Sequence, residues 1–221
     1  MTNQFKSTQD AFEYLYSYIT DYGVPHADTL AVFNAGFLIT DPLAIYINTP
    51  WRKWSQQYAE REYRWYMDSY FTKNPSGIEI ARHAPIWFNH LDEHGNLQSN
   101  YGWQWSRNDQ IAYVVGELGR DPNSRRAVLT MYDGKEHGNY QRDTPCTISI
   151  QFQILDGKLC MTVTMRSNDL WFGFCNDAYT FSKLHYFIAH QLDIPMGGYY
   201  HFASNLHLYN KHLNLNTNGT I

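Results

Sequence analysis

The sequence predicts a single α+β domain over residues 1–221. Two long β-rich runs, 146–154 and 159–166, are joined by Asp156-Gly157, a strong hairpin signal. Segments with apolar residues at helical spacing stand on either side of them, and the regular alternation of a βαβ chain is absent. No internal repeat, low-complexity tract or Gly/Ser-rich linker divides the chain.

Ser7-x-x-Asp10 reads as a capping box that opens a helix carrying Phe12, Leu15 and Ile19 on one face. Residues 30–39 are an apolar, β-like stretch, and about 56–71 form a second helix, rich in charge and aromatics, that ends before Pro75. Mixed polarity with His, Asn and Gly makes 81–107 loop-rich. A third helix is expected over 109–118, ended by Gly119. Residues 126–132 are β-like, and Asp133-Gly134 marks a turn. Beyond the hairpin, 178–192 form a helix burying Phe181, Leu184, Phe187 and Ile188, and 199–209 are a last β-like segment before a polar tail.

A hydrophobic fraction of 43% is enough for a substantial core. The 18 Tyr, 12 Phe and 7 Trp fill that core and also suit a pocket that stacks planar ligands. A net charge of -4 argues against a nucleic-acid partner, while leaving room for a small acidic ligand held by a few Arg. Three cysteines without CxxC spacing fit a reducing compartment. The polar N-terminus and the lack of a run of 18 apolar residues predict a soluble, cytoplasmic protein with no membrane partner. The sequon at 218–220 then carries no meaning.

Phosphate-loop, dinucleotide and zinc-protease motifs are absent. His90-x-x-x-His94 has ligand spacing for a helix but lies in a loop-like stretch, so no metal is expected. Cys146 follows Asp143-Thr144-Pro145 where a loop enters a strand; alone it reads as a small buried hydrophobe or as a nucleophile, and mid-strand Cys160 as core. Arg125-Arg126 reads as surface charge. Arg166-Ser167-Asn168-Asp169 ends a strand and suits either anion binding or turn chemistry. Glu62 sits in the stripe Tyr63, Trp65, Tyr66, where a solvated helix face is the simple reading. Asn176-Asp177 precedes an apolar helix as N-cap residues do, and His207 and Tyr209 share a strand face.

Order and spacing together resemble the thymidylate synthase superfamily from about residue 60 to 212. Glu62-Tyr63-Arg64-Trp65-Tyr66 resembles the helix with the catalytic Glu. Ile86-Trp87, Gly95-Asn96-Leu97 and Tyr101-Gly102-Trp103-Gln104-Trp105 resemble the folate-side loop. Asp121-Pro122-x-Ser124-Arg125-Arg126 resembles the segment that reaches the neighbouring subunit's nucleotide phosphate, and Pro145-Cys146 the nucleophile. Arg166-Ser167-x-Asp169-x-x-x-Gly173 resembles the phosphate and folate signature, and His207-x-Tyr209 the sugar-binding pair. Asp177 stands where thymidylate synthases place Asn, as in the phage deoxycytidylate hydroxymethylase branch.

The resemblance implies a large mixed sheet flanked by helices, in a homodimer with composite active sites, cytoplasmic and possibly encoded by a phage. It implies transfer of a one-carbon unit from 5,10-methylenetetrahydrofolate to C5 of dCMP, giving 5-hydroxymethyl-dCMP. Cys146 adds to C6, its thiolate favoured by Arg166; Glu62 moves protons; Asp177, ionised, reads the base. Arg125, Arg126, Arg166 and Ser167 take the phosphate, His207 and Tyr209 the sugar, and Trp87, Asp169 and Gly173 the folate. Two departures stand out. The family's phosphate-binding loop is not recognisable around 23–40, and the chain stops soon after Tyr209, which the resemblance links to a more water-accessible site. A 5-methyl product, CMP as substrate and a catalytically silent nucleotide binder are the alternatives.

Overall fold

The computed structural model describes residues 3–136, 138 and 142–215; the sequon at 218–220 lies outside them. Its strands are β1 (Asn3–Phe5), β2 (Val24–His26), β3 (Thr29–Ile39), β4 (Val128–Thr130), β5 (Thr147–Leu155), β6 (Lys158–Met165), β7 (Asn168–Asp169) and β8 (Met196–Tyr209). Its helices are α1 (Thr8–Tyr22), α2 (Gln56–Thr72), α3 (Ile78–His83), α4 (Tyr101–Ser106), α5 (Gln110–Arg120) and α6 (Cys175–Gln191). The strands form one mixed sheet in the order β1-β3-β8-β6-β5-β4, with β2 added to β3 and β7 to β8. β8 runs antiparallel to β3 and parallel to β6.

Period-two alternation gives the sheet one buried face. Leu159, Met161, Val163 and Met165 of β6 are buried there, with Tyr199, His201 and Ala203 of β8. Phe181, Leu184 and Ile188 of α6 join the same core, as do Trp65 and Tyr66 of α2. The other face carries half-exposed residues, among them Gln151, Thr162, Thr164 and Tyr200. Cys160 is on that side and only partly buried, so the reading of it as core is corrected.

Local signals place the ends of several elements. The Ser7 hydroxyl accepts from the Asp10 N–H at 3.1 Å while Asp10 Oδ2 accepts from the Ser7 N–H at 3.1 Å, the capping box expected. Asp156 and Gly157, with φ of 51° and 72°, make the hairpin turn. Elsewhere tertiary contacts override composition. Residues 81–107 are not mainly loop: they hold the second half of α3, a 3₁₀ turn (Pro85–Asn89) and α4. Asn100 caps α4 through Oδ1 and bonds Ser69 of α2 through Nδ2 at 2.9 Å. Tyr101 stacks on Tyr66 at 5.3 Å, so aromatic burial holds this short helix. Gly119 lies inside α5, which ends at Asp121; Glu117, gripped by Ser124, Arg120 and Arg126, carries the helix past it.

α6 begins three residues earlier than expected, because a π-helical turn (Leu170–Phe174) runs directly into it. Asn176 and Asp177 therefore sit in its first turn, and the N-cap position belongs to Phe174. Among the described residues no helix is long and apolar enough to cross a membrane.

Candidate active site

A cavity of about 520 Å³ opens where α2, the loop before β5, β7, the π-turn and the start of α6 meet. Eight of the twelve predicted site residues line it. Cys146, one residue before β5, is half-buried there. Burial pushes its thiol up to about 11, against the pull of the Arg166 guanidinium. The expectation that Arg166 favours the thiolate is thus met in sign but outweighed by desolvation. Arg166 Nε and Nη2 donate to the carbonyls of Pro145 and Thr144, each at 3.0 Å, and Nη2 lies 3.8 Å from Cys146 Sγ. This Arg fixes the loop that presents the thiol.

Glu62 faces the cavity from α2. Burial raises its carboxyl to about 7, partly offset by a hydrogen bond from the Tyr58 hydroxyl at 3.1 Å. Trp87 Nε1–H, donor only, gives its proton to the Tyr58 oxygen at 2.9 Å. The Tyr58 O–H must then donate onward to Glu62. Trp87, a wall of the cavity, is in this way connected to the carboxyl through one phenol. His90 stands beside Trp87, ring centroids 5.8 Å apart. Among the described residues no group of three or more His, Cys, Asp or Glu is placed to hold a metal ion.

Asp177, half-buried, is the second carboxyl of the cavity. Burial first, then the Glu62 charge, push its proton affinity well above that of an ordinary carboxylate, so the ionised form expected from the sequence is disfavoured by its surroundings. Asn168 Nδ2 opposes this by donating to Oδ2 at 2.8 Å. Gly173 makes the approach possible: a Cβ there would stand 2.9 Å from Asn168 Nδ2 and 3.4 Å from Asp177 Oδ2. Asp169 accepts the N–H groups of Trp171 and Phe172 and so caps the π-turn, while still facing the cavity with Ser167 and Tyr209.

Four predicted residues are not in the cavity wall: Arg125, Arg126, Arg166 and His207. Arg126 pairs with Glu117 at 3.0 Å, and His207 Nδ1 bonds Asn205 at 2.9 Å. Sequence reasoning missed Tyr58, Asn168, His201 and Arg52. Tyr58 precedes Glu62 by one helical turn, a usable signal. Asn168 appears in the motif only as a spacer. Arg52 is buried, lies over the Trp171 ring at 4.7 Å and donates to the Trp171 carbonyl, and no pattern around Trp51-Arg52-Lys53 announces it.

A mixed sheet beside a cavity lined by a cysteine and the carboxyls of Glu62 and Asp177 points to a thymidylate synthase-type fold. The thymidylate synthase family model matches residues 50–218, and the chain belongs to that family. A deoxyuridylate hydroxymethyltransferase of Pseudomonas phage M6 is 34% identical over 141 residues, covering 61% of this chain and 40% of that protein. A deoxycytidylate 5-hydroxymethyltransferase of Enterobacteria phage T4 is 32% identical over 157 residues, covering 67% of this chain and 60% of the relative. A thymidylate synthase of Vesicomyosocius okutanii is 33% identical over 135 residues, 58% of this chain and 51% of its own length. The aligned stretches thus take in 40–60% of these relatives' lengths. The solved thermostable thymidylate synthase A of Bacillus subtilis shares the fold with a TM-score of 0.76 at 21% identity, over 92% of this chain and 80% of that one.

Proposed function

We propose that the protein transfers the one-carbon unit of 5,10-methylenetetrahydrofolate to C5 of dCMP, giving 5-hydroxymethyl-dCMP. The observation that carries this reading is the Asp177 carboxyl, half-buried in the wall of the Cys146 cavity with one oxygen held by Asn168. Cytosine presents an N4–H donor, and a carboxylate only accepts. Uracil presents O4 there, leaving two acceptors facing each other.

The residues present fit both ligands. Trp87, His90 and Phe172 give the cavity planar walls for a pterin, and Asp169 offers acceptors for its N–H groups. Bound folate supplies the electrophilic carbon. Cys146 Sγ adds to C6, which makes C5 enamine-like and divides one difficult step into two; once C5 has taken the carbon and the folate is released, water supplies the hydroxyl and Cys146 Sγ leaves C6. Glu62, poised near neutrality, takes and returns protons at the base. Hydroxymethylation is supported by the named activities of the M6 and T4 relatives.

The active unit is proposed to be a homodimer in which Arg125 and Arg126 reach the phosphate of the opposite site, since neither lines the cavity of its own subunit. The half-exposed sheet face supports such pairing. Mixing inactive Arg126→Ala with inactive Cys146→Ala restores activity through hybrids with one intact site; no recovery after verified subunit exchange removes the composite arrangement. The deciding experiment for function is product mass spectrometry with dCMP, CMP and dUMP plus methylenetetrahydrofolate. A gain of CH2O on dCMP is expected. A gain of CH2, preference for CMP or dUMP, or no product overturns the reading.

A further inference from the structure

Behind Asp177 a line of polar groups runs into the core. Asn168 Oδ1 meets His201 Nε2 at 3.0 Å, and His201 Nδ1 meets the Tyr199 hydroxyl at 2.7 Å. Tyr199 and His201 are fully buried, and Asn168 is 2% exposed. His201 is packed against Phe37 and Phe174, at centroid distances of 5.2 and 5.3 Å, in surroundings that suit a phenyl ring. Burial pushes it down to about 3, so it is neutral, with one N–H.

The end of the line fixes its direction. Among the described residues the hydroxyl of Tyr199 is hydrogen-bonded to His201, and a buried O–H left without an acceptor is costly. Tyr199 therefore donates to Nδ1, which places the His201 proton on Nε2. That proton goes to Asn168 Oδ1, because an amide oxygen only accepts. The Asn168 amide is then turned with Nδ2 toward Asp177. Each donor points the same way, and the Asp177 carboxyl is the first group in the line that faces the cavity with an unshared oxygen.

We propose that Tyr199, His201 and Asn168 form a one-way donor chain that opposes protonation of Asp177 and thereby sharpens the preference for cytosine over uracil. The proposal rests on the base-reading role proposed above for Asp177. A neutral carboxyl has one O–H donor and one C=O acceptor, the pattern of an amide, and would accept uracil as readily as cytosine. An ionised carboxyl rejects O4. Burial, Glu62 from α2 and Asp169 from β7 all favour the neutral form. The other titratable groups in electrostatic contact with Asp177 are the thiols of Cys146 and Cys175 and the phenols of Tyr66, Tyr101 and Tyr199, none of them cationic. The Asn168 bond opposes that pressure. Reversing the chain would place the Asn168 oxygen against Asp177 and require a proton between them.

The test compares kcat/KM for dCMP and dUMP in the native enzyme, Tyr199→Phe, His201→Phe and Asp177→Asn. Neither Tyr199 nor His201 lines the cavity, and Phe suits the packing at both. The dCMP-to-dUMP ratio is expected to fall about tenfold in the two chain variants, the weight of one buried hydrogen bond. Its rise with pH, as Asp177 ionises, moves to higher pH in Tyr199→Phe. A merely structural role lowers both kcat/KM values and leaves the ratio unchanged, which overturns the proposal. If Asp177→Asn shifts the ratio and the chain variants do not, base reading stands and the chain fails; if Asp177→Asn does not shift it, both fail. Nitrogen-15 shifts of His201 supply a readout besides turnover: the Nε2–H tautomer is expected, and the Nδ1–H tautomer contradicts the proposed direction.

Discussion

Glu62, buried, and Asp177, half-buried, are carboxyls on one cavity, each accepting one side-chain hydrogen bond, yet their donors come from opposite directions. The Glu62 donor is Tyr58, itself fed by Trp87, a wall of the cavity. The Asp177 donor is Asn168, fed from the core by His201 and Tyr199. A ligand stacked on Trp87 therefore acts on the Glu62 chain directly, whereas nothing that enters the cavity touches the far end of the other. The contrast suits the two tasks proposed for them: a proton carrier benefits from responding to what is bound, and a base reader from ignoring it.

Cys146 lines the same cavity, and its removal is the largest effect expected. Cys146→Ala abolishes turnover while dCMP binding, measured by calorimetry, stays largely intact. Cys175→Ala, at a fully buried site, loses stability instead, and Cys160→Ala does so to a smaller extent. Appreciable product from Cys146→Ala ends the covalent proposal.

The Glu62 wall comes next. Its carboxyl is raised from 4.5 to about 7 by burial, so the folded state binds this proton more tightly than the unfolded chain. The associated stability is fully present below pH 4.5 and is lost as pH rises through about 7, on the order of 3 kcal/mol in all. Glu62→Gln, a neutral isostere that still accepts from Tyr58, should lose roughly 100-fold or more in kcat. It should nevertheless melt above the native protein at pH 8, with little difference near pH 4.5; equal melting points at both pH values contradict the assignment. Tyr58→Phe is the milder probe: deleting the bond that lowers the Glu62 value moves the acid limb of the kcat/KM profile up by about one unit.

How much of this was legible depends on how local the signal is. The capping box at Ser7 and the turn at Asp156-Gly157 are complete within a few residues, and both stand where expected. The helical nature of α4 is not local: Asn100 and Tyr101 take their partners from α2, more than thirty residues away. Likewise Asp177 reads as an N-cap until the π-turn is seen to run into α6. Cys146, Glu62, Asp169 and Gly173 were legible through motif spacing, and the structure gathers them in one cavity. His201 was illegible, since on a strand face it looks like any core aromatic, and its two bonds come from β7 and from its own strand.

The central claim is that Asp177 reads cytosine. Asn in its place can donate to O4 and accept from N3–H, and unsatisfied buried groups cost about 1–3 kcal/mol each, so a shift of roughly tenfold to a hundredfold is at stake. The direct test is kcat/KM for dCMP and dUMP with the native protein and Asp177→Asn. Preference moving from dCMP toward dUMP, with folding unchanged, is the result expected. An unchanged ratio would contradict it.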